Sequence, residues 1–373
     1  MKLVCSQADL NASLQLVGRA VSNRPTHPIL ATVLLTADAA TGRLRLTGFD
    51  GNLGIQTSFQ AAVDKSSAIA LPARLFSEIV SRLASGTPIT LRSADISEQV
   101  ELTSLSGSYQ LMSQPAADFP DLPLMQRGSP IRIDADTLVR GLRGTVFASS
   151  TDETKAQLQG VHIRLDQTGL ECAATDGHRL AVLHSPATGD ALDITIPAKS
   201  VRELERLIAS QSCAEPLSLF YSAGRMVVLH GDHVLTSRVL DGTYPKYEQL
   251  IPKGFKHDIN IDRRQFITAL ERVSVLADTS NNVVKLEIKS DHGEVIIRAD
   301  AKDSGRGSES VAATITGEEL QIAFNVHYLL DGLKAMSAKY VVLRCVSPIA
   351  PAIAQPDDKD ERFTYLVMPI QVR

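Results

Sequence analysis

Asp176 and His178 stand two residues apart in "AATDGHRLAV" at 173–182, with Arg179 alongside. A carboxylate beside an imidazole is the raw material of general acid–base chemistry. That chemistry also needs a nucleophile or a metal within reach, and a cleft to hold the substrate. Neither is signalled around this stretch. The same residues read as a tight turn, because Asp-Gly between apolar flanks is a strong hairpin signal and glycine accepts the positive φ such turns need. A second candidate, "HGDHV" at 230–234, offers His230 and His233. With no third ligand indicated, it reads as a hairpin turn and not as a metal site. A hydrolase built on Asp176 and His178 stands as a rival reading, testable by replacing His178 and assaying hydrolase substrates.

The elements that would position these residues belong to a soluble globular chain. It has 373 residues, 44% apolar and 21% charged, with a formal net charge of −4. That length predicts two or three domains. The charge excludes a protein that binds nucleic acid by bulk basicity. No apolar run reaches the length needed to span a bilayer. The start, "MKLVCSQADL", reads as neither a signal peptide nor a transit peptide. Cys5, Cys172, Cys213 and Cys345 form no Cys-x-x-Cys pair, so reduced core thiols are expected, not zinc or a disulfide framework.

The chain repeats itself three times. Amphipathic helices are predicted near residues 7, 136 and 262, with Leu10, Leu14, Val17 and Val21 on one face of the first. Leu138, Leu142 and Val146 line the second, and Phe266, Leu270 and Val273 the third. A further helix follows each: "LPARLFSEIVSRLASG", "IPAKSVRELERLIAS" and "FNVHYLLDGLKAMSAK". Pro72 and Pro197 suit a first helical turn, and Asn325 suits an N-cap. Alternating strands with turn signals lie between, so "AATDGHRLAV" is the middle copy of a repeated strand–turn–strand. Asp50 matches Asp176 in the first copy, and Asp300 roughly does in the third. The predicted fold is α+β: three tandem similar domains, 1–125, 126–253 and 254–373, each with two helices packed on antiparallel strands.

The six helical segments hold 13 Lys or Arg against 9 Asp or Glu, while the whole chain holds 38 against 42. The helices are therefore positive on an acidic protein. Lys199, Arg202 and Arg206 fall at i, i+3 and i+7, opposite Val201, Leu204, Leu207 and Ile208. On one helix that is a solvated face. Six such helices aimed at one place would make a polyanion surface.

Seven segments together suggest a family: "NRPTHPIL" at 23–30, "LPAR" at 71–74, "QPAADFPDLP" at 114–123, "ATDGHRLAV" at 174–182, "DGTYPKYEQLIP" at 241–252, "FNVHYLLDGL" at 324–333 and "YLVMPIQ" at 365–371. In this order, on a threefold repeat, the chain resembles the bacterial sliding clamp, the beta subunit of DNA polymerase III. The resemblance implies a head-to-tail homodimer closing a six-domain ring, with helices lining the hole and strands outside. It implies a processivity factor that encircles double-stranded DNA without reading its sequence and tethers the replicative polymerase alpha subunit. It further implies a non-catalytic subunit with no cofactor and no metal, no membrane partner, and a cytoplasmic, nucleoid-associated location.

By the same resemblance, the opening stretch lines a pocket for short peptides. These come from the replicative polymerase, the clamp loader, translesion polymerases and mismatch-repair proteins. Carried over by position, the pocket would be built from Leu158, Thr175, Gly177, His178, Arg179, Leu180, Pro245 and Leu250. Asn325, Tyr328, Ile349, Pro351, Leu366, Val367, Met368 and Pro369 would complete it. Gln249 stands where many relatives carry arginine. DNA-facing cations would be Arg24, Arg74, Lys199, Arg202 and Arg206. Of the loop "SSTDETKAQ" at 149–157, less basic than the family pattern, Lys155 is the one DNA-facing candidate. Ring closure would bring Tyr109 and Leu111 of one chain to Val275 and Leu276 of the other. The alternative is an open three-domain interaction module that never closes.

Overall fold

The structure, a computed structural model, describes residues 1–22, 24–93, 99–124, 129–210, 215–277, 282–301 and 305–371. Cys213 and the predicted boundary at 125/126 lie outside the described residues. Six α-helices appear where the periodicity places them: α1 (Gln7–Val17), α2 (Ala73–Arg82), α3 (Ala135–Arg143), α4 (Ala198–Ala209), α5 (Arg263–Ser274) and α6 (Val326–Ala335).

Their starts follow capping chemistry. Ser6 accepts from the Ala8 amide at the head of α1, Asp262 from Gln265 at α5, and Asn325 from His327 and Tyr328 at α6. Each cap satisfies amides that have no partner inside the helix. Pro72 and Pro197 differ from expectation. Each is the last residue of a strand and immediately precedes its helix. The first and third helices are shorter than predicted. The chain tightens into 3-10 turns at Gly18–Ala20 and Val146–Ala148, and Val21 is extended.

The strands form three antiparallel sheets among the described residues. Contacts divide the chain into two compact units, Met1–Ala135 with Arg202–Val239, and Asp136–Val201 with Leu240–Arg373. The first unit holds a five-stranded sheet, edged by Ala62–Lys65 and Ser108–Met112, and a nine-stranded sheet. In the latter, Leu53–Gln60 pairs with His233–Arg238, so a strand of the first repeat meets one of the second. The second unit holds a twelve-stranded sheet in which Arg179–Ser185 pairs with Arg362–Val367. The middle repeat thus completes sheets in both units, which is why compact units and sequence repeats divide the chain differently.

Leu10, Leu14 and Val17 of α1 are buried against the 43–60 hairpin. Each such side chain contributes about 1.5–3 kcal/mol on burial. The hairpin accepts the helix because position 48 is glycine: a Cβ there would sit 2.2 Å from the Val17 carbonyl oxygen. Val201, Leu204, Leu207 and Ile208 of α4 are buried and Lys199, Arg202 and Arg206 exposed, as the i, i+3, i+7 pattern predicts. Cys5, Cys172 and Cys345 are buried free thiols, and burial raises each to about 12.

Candidate functional site

The "TDGH" turn closes the hairpin of Gly169–Thr175 and Arg179–Ser185. Asp176 Oδ1 accepts from the amides of His178 at 2.8 Å and Arg179 at 3.0 Å. Gly177 between them has φ +94. Asp50 does the same in the first repeat: its Oδ1 accepts from Asn52 at 2.9 Å and Leu53 at 2.7 Å, beside Gly51 at φ +97. The repeated aspartate therefore builds a turn in both copies. Asp300 does not. It lies inside strand Glu294–Ala301, ion-paired with Arg306, and residues 302–304 lie outside the described residues. The His178 ring is exposed, and its main-chain carbonyl accepts from the Met368 amide at 2.9 Å. His230 and His233 flank a two-residue hairpin turn, with His233 bonded to Thr57 at 2.8 Å.

Beneath the turn lies a cluster of Ala173, Leu180, Val182, Tyr244, Tyr247 and Leu366, with Leu158 and Ile251 packed against it. The Tyr244 hydroxyl accepts from the Thr175 amide at 3.0 Å and its ring stacks on His162, centroids 4.7 Å apart. Burial raises the pKa of Tyr244 and lowers that of His162, so both are neutral polar groups in an apolar floor. Thr175, Leu180, Leu366 and Val367 are buried. Leu250, Ile349 and Met368 are 55%, 67% and 40% exposed. Exposed apolar side chains of this size are candidates for a binding surface. Gly177, Pro245 and Gln249 are exposed as well, and Leu158, Asn325, Tyr328, Pro351 and Pro369 half-buried.

Arg179 is held within the fold. Its side chain is only 11% exposed. Its guanidinium donates to Asp176 at 3.0 Å, to Asp331 at 2.6 Å and to the Phe147 carbonyl at 2.8 Å. It also lies 4.4 Å from the centroid of the Tyr328 ring. Burial disfavours its charge, but the bond to Asp331 and the nearby carboxylate of Asp176 outweigh that and raise its pKa. Arg179 thus ties the hairpin turn, α6 and the 146–148 turn together. Tyr365 supports α6 from below: its hydroxyl donates to the Tyr328 carbonyl at 2.7 Å, and Gly332 leaves room for its ring. Phe147, Tyr244, Tyr247, Asp331 and Tyr365 were not singled out from sequence. The tyrosines stood in quoted motifs, and Tyr328 with Asp331 at i, i+3 was the available signal for a shared helix face.

Of the predicted DNA-facing cations, Arg24, Arg74, Lys199, Arg202 and Arg206 are exposed and Lys155 is half-buried. Arg74 pairs with Glu78 at 3.1 Å and Arg206 with Glu203 at 2.6 Å. Arg263, one of the basic residues counted on the helices, instead donates to Ala338 and Leu333 carbonyls after and within α6. Lys155 turns to the hairpin, its amine donating to the Asp176 carbonyl at 3.0 Å. Tyr109 and Val275 are exposed, Leu276 is half-buried, and Leu111 is buried within its own sheet opposite Val100. No group of three or more metal-ligating side chains occurs among the described residues.

The chain is thus a tandem α+β protein with an apolar surface cluster beside a hairpin turn. Comparison with known proteins gives the family. Residues 1–123, 132–246 and 248–371 match the N-terminal, central and C-terminal domains of the DNA polymerase III beta subunit. The chain is 48% identical to a beta sliding clamp of Synechococcus elongatus and 46% to one of Synechocystis, over the full length of each. It superposes on the Bacillus subtilis DNA polymerase sliding clamp with TM-score 0.93 at 30% identity, covering all of both chains. A Bartonella birtlesii sliding clamp bound to griselimycin gives 0.92 at 32% identity, again covering both chains fully. The chain belongs to the DNA polymerase III beta subunit family, the beta sliding clamps.

Proposed function

We propose that two copies of this chain close head to tail into a ring that encircles duplex DNA and holds a polymerase to its template. The observation that carries this reading is the full-length match of three successive clamp domains. The ring subunit is non-catalytic: it holds its partners and transforms nothing. Retention comes from topology, so contacts to phosphate need only be weak and exchangeable. Arg24, Arg74, Lys199, Arg202 and Arg206 supply them. The domains run 1–125, 126–253 and 254–373. As a clamp on replicating DNA, the protein works in the cytoplasm.

Two open strand edges support closure. Ser108–Met112 is the last strand of its sheet, with Tyr109 and Met112 exposed. The 305–312 half of strand Gly305–Thr316 pairs on one side only among the described residues, with Glu294–Ala301. Exposed edges invite pairing with another chain. Leu276 packs on this second edge, since a Cβ at Gly307 would meet its side chain at 2.7 Å. Val275 beside it is 82% exposed. Tyr109 of one chain against Val275 and Leu276 of the other forms the apolar centre of the joint, with Leu111 backing the edge from inside. Light scattering at nanomolar concentration tests this. Wild type has the mass of a dimer, and Leu276→Ala or Val275→Asp shifts it toward monomer. Undiminished dimer in both variants refutes the interface, and a monomeric wild type supports the open module.

The apolar surface around Leu180, Leu250, Ile349 and Met368 takes short peptides carrying a glutamine and a pair of hydrophobic residues, presented by polymerases, the loader and repair proteins. An adaptable aliphatic and methionine lining suits several such partners at one site.

A further inference from the structure

On the same sheet face as Ala173 of the apolar floor, farther from the "TDGH" turn, sits a buried carboxylate. Glu171 is 6% exposed and lies on strand Gly169–Thr175. Three donors converge on it. The Tyr247 hydroxyl donates to Oε1 at 2.5 Å, Arg164 approaches the same oxygen at 3.1 Å, and His184 Nε2 reaches Oε2 at 3.0 Å. Arg164 continues to Glu248 at 3.6 Å. Two of these links therefore end on the single 3-10 turn Tyr247–Leu250.

That turn carries Leu250, an exposed apolar residue of the peptide surface, and its Tyr247 ring is part of the floor itself. No hydrogen bond to neighbouring strands' backbone secures the turn among the described residues. A short 3-10 turn has poor internal bonding and holds its shape through side chains. A buried carboxylate that accepts from a tyrosine, an arginine and a histidine is a strong, directional anchor. Burial, reinforced by donation to Glu171, pushes the Tyr247 phenol far above its usual pKa, so it stays a donor.

We propose that Glu171, with Arg164 and Tyr247, is a positioning group for the peptide site: it fixes the 247–250 turn and thereby sets Leu250 at the rim. Their polar atoms engage one another. Their effect is pre-organisation, which lowers the ordering cost of binding. The proposal rests on the peptide-site reading above and adds to it which residues outside the contact surface set its shape.

The test uses the full-length protein, a fluorescent peptide carrying a glutamine and two hydrophobic residues, and three variants. Tyr247→Phe keeps the ring in the floor and removes only the donor. Glu171→Gln keeps shape and removes the charge. The third combines them. Each single variant raises the peptide Kd by roughly five-fold, the scale of one net hydrogen bond. The double variant is no worse than Glu171→Gln alone, because the Tyr247 hydroxyl acts through Glu171. Hydrogen exchange accelerates at 247–251 and not in strand His257–Asp262, a signature that general destabilisation would not produce. A Kd unchanged in Tyr247→Phe, or two effects that add in full, overturns the proposal while leaving the peptide site standing. A peptide that binds wild type no better than a Leu180→Asp, Met368→Asp control removes the peptide site and this inference together.

Discussion

Replacing Arg179 by methionine tests the hub under the hairpin turn. Methionine fills much of the same volume and removes the guanidinium. The change strands Asp176 and Asp331, leaves the Phe147 carbonyl without its donor and unstacks Tyr328. Breaking one side of a buried ion pair costs about 3–5 kcal/mol. Asp331 is 44% exposed, so water replaces part of what it loses. A loss of ~2–3 kcal/mol follows once that screening is allowed for. At about 2–4 °C per kcal/mol for a unit of this size, the melting temperature falls by about 5–10 °C. Arg179→Lys keeps the charge but not the planar fork, and recovers less than half of the loss. Calorimetry reads the stability, and anisotropy with a labelled clamp-binding peptide reads the site, which weakens by about ten-fold as the turn and α6 part. A methionine variant that melts with wild type and binds peptide equally well refutes the assignment of Arg179 as the tie between these elements.

Two further outcomes are expected. His162 and His233 both have pKa values lowered by burial, opposed by Asp193 and by Asp232 respectively. The unfolded chain therefore takes up protons first as pH falls. Stability is complete above the unfolded value of about 6.5 and declines below it toward the folded values. Melting temperature should drop between about pH 7 and 5 and the drop should flatten in His162→Gln; a pH-independent profile contradicts the buried neutral histidines. Removing charge at Arg24 and Lys199 together should lower DNA binding at low salt and reduce the salt slope by about 1.8, with peptide affinity intact. An unchanged slope takes both residues off the DNA-facing surface.

Local chemistry made much of this molecule legible in its sequence. The Asp-Gly turn at 176–177 and its counterpart at 50–51 follow from side-chain acceptance and a glycine φ, both encoded within three residues. Helix starts follow from caps at Ser6, Asp262 and Asn325. Helix ends do not, because the tightening at 18–20 and 146–148 is a packing adjustment with no composition of its own. The face of α4 was readable from spacing alone. The Arg179–Asp331 pair spans 152 residues of chain, and no local pattern announces such a partner. Glu171 is one polar residue in a strand, and only the fold brings Arg164, His184 and Tyr247 to it. The peptide-surface residues came from resemblance to a family; of them, Leu158, Leu180 and Leu366 pack in one apolar cluster. The division of the middle repeat between two compact units depends on strand pairing across repeats, which sequence similarity among the repeats does not contain.

Retention on circular DNA tests the central claim most directly. The protein is loaded by its clamp loader onto a nicked circle, free protein is removed, and half of the sample is linearised. The account predicts that protein stays on the closed circles and runs off the cut DNA. Equal loss from both, or equal retention on both, would mean ordinary contact binding and would contradict the ring.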